Sequence, residues 1–202
     1  MSDAVPTPSA LMYAFADRIS PPLAGDAALA PLLMAVAAWA LREQGTIYLG
    51  PLPHPRPVDG RLGFNRRRAY ADQPGLEGAL LRSMTGKGKK TPGVSIVALF
   101  TIGIPIGWET EARHDSLRHA IESGPWQRPW PHRAVIEYCR HEARSAGAIR
   151  RIGGGLRADR LWELEIPFSE LQSRWLRFAV HEPELHAALM DDCAAGLAPR
   201  RD

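Results

Sequence analysis

Cysteine is scarce in this chain, lysine almost missing, and no apolar run is long enough to cross a bilayer. The two cysteines, Cys139 and Cys193, are too few for a disulfide framework and point to a reducing, cytoplasmic setting. Lysine stands only at Lys87, Lys89 and Lys90. All other positive charge is arginine, whose planar fork suits bidentate phosphate contacts, although a GC-rich coding sequence gives the same bias. The longest apolar segments, Ala27–Leu41 and Val94–Trp108, are shorter than the ~18–20 residues a spanning helix needs. Pro31 interrupts the first; Gly103, Pro105 and Gly107 interrupt the second. Both read as buried, the second as a strand or an irregular helix. Met1–Ala10 is polar and holds Pro6 and Pro8, without the basic start of a leader peptide.

The motifs of common chemistries are missing too. Thr85-Gly86-Lys87-Gly88-Lys89-Lys90-Thr91 resembles a phosphate loop, but that loop needs Gly, four residues, then Gly-Lys-Ser/Thr. Ser83 stands where the first glycine belongs, and Lys90 where a hydroxyl should hold magnesium. A solvated basic loop is the simpler reading. No Gly-x-Ser-x-Gly elbow occurs. Cys139 falls on an apolar helical face, as a small buried hydrophobe does, and His141 points elsewhere. His114/His119 and His181/His186 are five apart, whereas helical ligand pairs prefer three or four. The pairs Glu109/Glu111 and Asp191/Asp192 read as solvated. The sequence therefore names no catalytic residue, no metal ligand and no cofactor.

What is present is ordinary globular composition: 202 residues, 45% apolar and 23% charged, with a net charge of +3. A chain of this length and make-up buries a core without disulfides. Charge is unevenly placed. Arg61–Lys90 carries eight basic residues against two acids, and His132–Arg160 seven arginines against three acids. Leu161–Asp202 carries eight acids against four arginines.

The pattern predicts a mostly α fold with short β-hairpins, built of winged-helix-like helix–hairpin units in one compact domain. Residues 1–10 form a flexible arm and 11–202 a single mainly helical domain. Helices are predicted over Leu11–Ile19, over 27–44 after an Asp26 cap, over Leu76–Met84, over Asp115–Ser123 and over His132–Ala146. A last helical region runs from Glu170 to Ala195, interrupted near Pro183. Strands are predicted at Thr46–Leu49 and Arg61–Asn65 around a proline-rich loop, and at Ala148–Ile152 and Leu161–Ile166 around Gly153-Gly154-Gly155. The two helix-to-strand junctions match: Ala40-Leu41-Arg42-Glu43-Gln44-Gly45-Thr46-Ile47 and Ala143-Arg144-Ser145-Ala146-Gly147-Ala148-Ile149.

On the 132–146 helix, Val135, Ile136, Cys139, Ala143 and Ala146 share one face; Arg133, Glu137, Arg140 and Arg144 share another. The second face is a solvated charged surface or an anion-binding one. Arg150 and Arg151 follow it, and Trp126 and Trp130 precede it in a loop with three prolines.

These junctions, with Leu76–Leu81 and Val135–Ile149, resemble the Golgi phosphoprotein 3-like domain family in order and spacing over a little more than half of the chain. The resemblance implies a mostly helical, non-enzymatic peripheral domain that reads a phosphoinositide head group with arginines and a tryptophan. Arg133 falls on one head-group arginine. Ile136 stands where the next is expected, and Leu32 near a third. The contact left is to an anionic membrane surface or a partner protein, through Arg133, Arg140, Arg144, Arg66, Arg67 and Arg68, with Trp126 and Trp130 as aromatic contacts. The alternatives are a winged-helix regulator that binds nucleic acid through Arg66–Arg68 and Arg140/Arg144, and an enzyme with a pocket lined by Trp108, Trp126 and Trp130.

Overall fold

The structure is a computed structural model that describes residues 5–19, 26–52, 60–66, 73–84, 115–127, 129–151, 158–160 and 162–199. It is mostly helical, with short antiparallel strands. In chain order come α1 (Pro8–Ala14), α2 (Ala16–Ile19), α3 (Asp26–Glu43), β1 (Ile47–Pro51), β2 (Leu62–Arg66) and α4 (Gly75–Met84). Then follow β3 (Asp115–Ser116), α5 (Leu117–Glu122), α6 (Pro131–Ser145), β4 (Ile149–Arg151) and β5 (Ala158–Arg160). A 3-10 turn at Trp162–Leu164 leads into α7 (Glu165–His181), and α8 (Pro183–Gly196) ends the series.

α3 is the axis of the core. Every residue from Ala30 to Leu41 is buried, so the helix has no polar face to offer water and must be covered all round. α1, α4, α6 and α8 cover it. Its alanines at 35, 37, 38 and 40 let these neighbours approach closely. Pro31 lacks the N–H that would bond the Ala27 carbonyl, and Ala27 is exposed, so water can take that acceptor. Trp39 stands edge-on to Trp175 at 5.5 Å between centroids and stacks on Phe178 at 6.1 Å, which fastens α7 to the axis. Arg42 adds a two-point pair to Glu182, Nη1 to Oε1 at 2.9 Å and Nη2 to Oε2 at 2.8 Å.

Both matched junctions end on a left-handed glycine. Gly45 has φ +68° and Gly147 φ +72°. At the first, the Gly45 amide donates to the Arg42 carbonyl and the Thr46 amide to Leu41, each at 2.9 Å. That is the Schellman closure, which satisfies the last carbonyls of a helix. At the second, the Gly147 amide donates to Arg144 at 3.0 Å. A hairpin follows each stop. β1 and β2 pair antiparallel with Leu49 opposite Phe64, and β3 joins at Phe64–Asp115. β4 and β5 pair with Arg150 opposite Asp159. In β1 the pleat places Ile47 and Leu49 inward and Tyr48 outward.

The boundaries differ from expectation at three places. α1 starts at Pro8, so residues 8–10 belong to a helix in which Ser9 and Ala10 are buried. The proline sits in the first turn, where its missing N–H costs nothing. The strand expected over Leu161–Ile166 is not found among the described residues of that stretch: β5 is 158–160, Trp162–Leu164 is a 3-10 turn and α7 begins at Glu165. Phe168, Leu171, Trp175 and Phe178 recur at helical spacing and are buried, and this long apolar stripe overrides the short alternation before it. Asp115 and Ser116 add an edge pair to β2 before Ser116 caps α5, its side chain accepting the His119 amide at 3.0 Å. Lys87–Lys90, Val94–Trp108 and Gly153–Gly155 lie outside the described residues. Among the described residues no helix is long and apolar enough to cross a membrane.

Candidate functional site

α6 presents two unlike faces because its apolar and charged residues follow the helical period. Val135, Ile136, Cys139 and Ala143 point into the core. Arg133, Glu137, His141 and Arg144 are exposed. Arg140 lies between these conditions. Its Nη1 donates to Glu137 Oε1 at 2.6 Å and its Nε to the Tyr13 hydroxyl at 2.9 Å. Arg140 thus pins α1 to the charged face, which leaves Arg133 and Arg144 as that face's exposed arginines at its two ends.

The tryptophans separate. Trp130 precedes α6 between Pro129 and Pro131 and is 73% exposed. Its backbone carbonyl accepts the Ala134 amide at 3.0 Å, so the ring stands on a fixed base. Trp126 is fully buried. Its indole N–H donates to the Ile121 carbonyl at 2.7 Å, its ring meets Tyr138 edge-on, and it lies over Gly124, where a Cβ would collide with the indole. Trp126 is therefore core and cannot serve as a surface contact. The expected aromatic pocket fails for the same reason: Trp126 is sealed while Trp130 is in solvent, and Trp108 lies outside the described residues. Arg66 ends β2 opposite Ile47; Arg67 and Arg68 lie outside the described residues.

One polar cluster was not foreseen. Glu77 of α4 and Glu142 of α6 are both buried and receive the start of α1. Ser9 donates its amide and its hydroxyl to Glu77, and Thr7 donates its amide to Glu142 Oε1 at 2.9 Å. An acidic group at a helix N-terminus satisfies orphan N–H groups and complements the dipole. Burial pushes the Glu77 carboxyl above its ordinary value and Glu142 adds to this, while the bonds from Ser9 and Thr7 oppose it. Cys139 is buried beside them and its thiol is pushed well up, chiefly by burial, so the reactive thiolate is suppressed. Asp192 makes a similar anchor on α8. Its Oδ2 accepts the amides of Arg61 and Leu62 at 2.9 and 2.8 Å, which fixes where β2 begins. The expectation that Asp191/Asp192 is a solvated pair holds for Asp191 alone. The only sequence signal for these anchors is an acid on an otherwise apolar helical face, as with Glu142 one turn from Cys139.

Among the described residues no three His, Cys, Asp or Glu side chains converge in a way that could hold a metal ion. No family model, no curated protein and no solved structure matches the chain.

Proposed function

We propose that this chain is a non-enzymatic peripheral domain that docks on anionic membrane surfaces through the outer face of α6. The observation that carries the reading is the exposed Trp130, held by flanking prolines beside the exposed Arg133. An indole at the headgroup level with arginines alongside is the usual make-up of an interfacial contact. Arg144 stands eleven residues beyond Arg133, about 16 Å along the helix at its ordinary rise. Each arginine near an anionic surface is worth about 1 kcal/mol, roughly fivefold in affinity. The likeness in element order to the Golgi phosphoprotein 3-like family supports the same reading, and the cytoplasmic leaflet is where anionic lipid is found. Ile136, buried where that family's second arginine would stand, favours surface attraction over a closed head-group pocket.

The test is co-sedimentation with phosphatidylcholine vesicles, with and without phosphatidylserine, beside a retention assay on mixed-sequence duplex DNA. Binding is expected only with the anionic lipid, weakened by added salt and lost in Arg133→Glu/Arg144→Glu. Trp130→Ala should weaken it at every salt concentration. Retention on DNA without vesicle binding would sink the membrane reading and promote the nucleic-acid one. Binding to neither would sink both and direct attention to protein partners.

A further inference from the structure

α7 has a buried stripe of Phe168, Leu171, Trp175 and Phe178 and an opposite face whose apolar residues are exposed, uncovered by any other described element. On that face Ile166 is 72% exposed, Leu176 56% and Val180 74%. Three large apolar side chains standing in water on a single helix form a patch, not scattered surface residues. Their arrangement has a centre. Ile166 and Val180 each lie seven residues from Ser173, a spacing that returns to nearly the same side of a helix after two turns. Ser173 itself is exposed and small enough for another backbone to come close.

The charges share that centre. Glu170 precedes Ser173 by three residues and Arg177 follows it by four. Both are exposed and lie on one flank of the apolar line. The other acid and the other arginine of the helix are engaged within the chain: Glu165 with Arg18 at 2.9 Å and Arg174 with Glu43 at 3.2 Å. No such pair joins Glu170 or Arg177 to another described residue. The face is thus acidic before its midpoint, basic after it, apolar at both ends and small in the middle.

We propose that this face binds a second copy of the chain, the two α7 helices running antiparallel about a twofold axis near Ser173. A twofold axis across the helices returns each flank to itself with its direction reversed. It therefore brings Ile166 of one copy to Val180 of the other, and Glu170 to Arg177, each twice. An isologous interface requires this kind of self-complementarity, and opposite charges beside an apolar seam set partner and orientation in helix pairs. A single helix from each copy makes a small interface, so the dimer forms with rising concentration and is not permanent.

Sedimentation equilibrium over a concentration series tests the pairing, with circular dichroism to check that each variant keeps its helices. The wild type is expected to dimerise reversibly. Val180→Asp and Ile166→Asp should each weaken the dimer tenfold or more. Glu170→Arg and Arg177→Glu, made singly, put like charges opposite each other and should weaken it as well. The double variant Glu170→Arg/Arg177→Glu restores opposite charges and should recover the dimer, which no contact to a different partner would do. A wild type that stays monomeric at every concentration overturns the proposal. So does a dimer indifferent to Val180→Asp, or a double variant no better than the singles. A monomer that loses vesicle binding on Val180→Asp would give the face to a membrane instead, and would also overturn it.

Discussion

The amide and the hydroxyl of Ser9 both donate to the Glu77 carboxylate, each at 2.8 Å, across 68 residues of sequence. Ser9 is the second residue of α1, and its amide is one of those a helix start leaves unpaired. Glu77 is only 1% exposed, so a carboxylate from one helix closes the end of another inside the core.

Glu77 makes stability depend on pH. Its pKa is raised in the fold from an ordinary 4.5, so the folded chain holds this proton more tightly than the unfolded chain. The stability supplied by the neutral form is complete below about that ordinary value and is lost as pH rises through the raised one. Glu77→Gln keeps an acceptor for the Ser9 amide and removes the proton. In urea titrations, the stability difference between wild type and Glu77→Gln is expected to move in the wild type's favour as pH falls from 7 toward 5. Glu77→Ala leaves the Ser9 amide buried without its acceptor, and the Ser9 hydroxyl with only the longer contact to Thr7 Oγ1 at 3.4 Å; it should cost about 1–3 kcal/mol. A pH-independent difference between wild type and the glutamine variant would refute this account.

Gly75 opens α4 with φ +65°, and a Cβ there would fall on Glu142 Oε2. The carboxylate is held by its other oxygen, which accepts the Thr7 amide at 2.9 Å, so turning the side chain aside disturbs that buried bond. Gly147 shares the left-handed backbone, at φ +72°, but has nothing within 4 Å. Gly75→Ala should cost roughly 2–4 kcal/mol, strain plus overpacking. Gly147→Ala should cost only the strain, about 1–2 kcal/mol. Thermal midpoints of the two variants side by side check the difference.

Trp126 and Trp130 stand four residues apart in the same proline-rich stretch, yet truncating them should have opposite readouts. Trp126→Ala empties a core site and breaks the bond to Ile121, and should lose about 3–5 kcal/mol of stability. Trp130→Ala should leave unfolding within about 0.5 kcal/mol of wild type while it lowers vesicle binding. Equal stability losses would place Trp130 in the core and remove the main support for the membrane reading.

Most of the local architecture was legible in the order of the residues. Helical spacing located α3, α4 and α6, and glycine at 45 and 147 marked where two of them stop. The glycine stop and the proline-rich loop placed β1 and β2 to within a residue or two, because these signals act through backbone dihedrals within a few residues. Tertiary structure decided the rest. It made Trp126 core and Trp130 surface, tied Arg140 to Tyr13, and buried Glu77, Glu142 and Asp192. A carboxylate can be buried only where donors meet it, and Glu142 takes its donor from Thr7, 135 residues away. No window of local sequence contains both partners, so the fold alone decides which acids the core can hold.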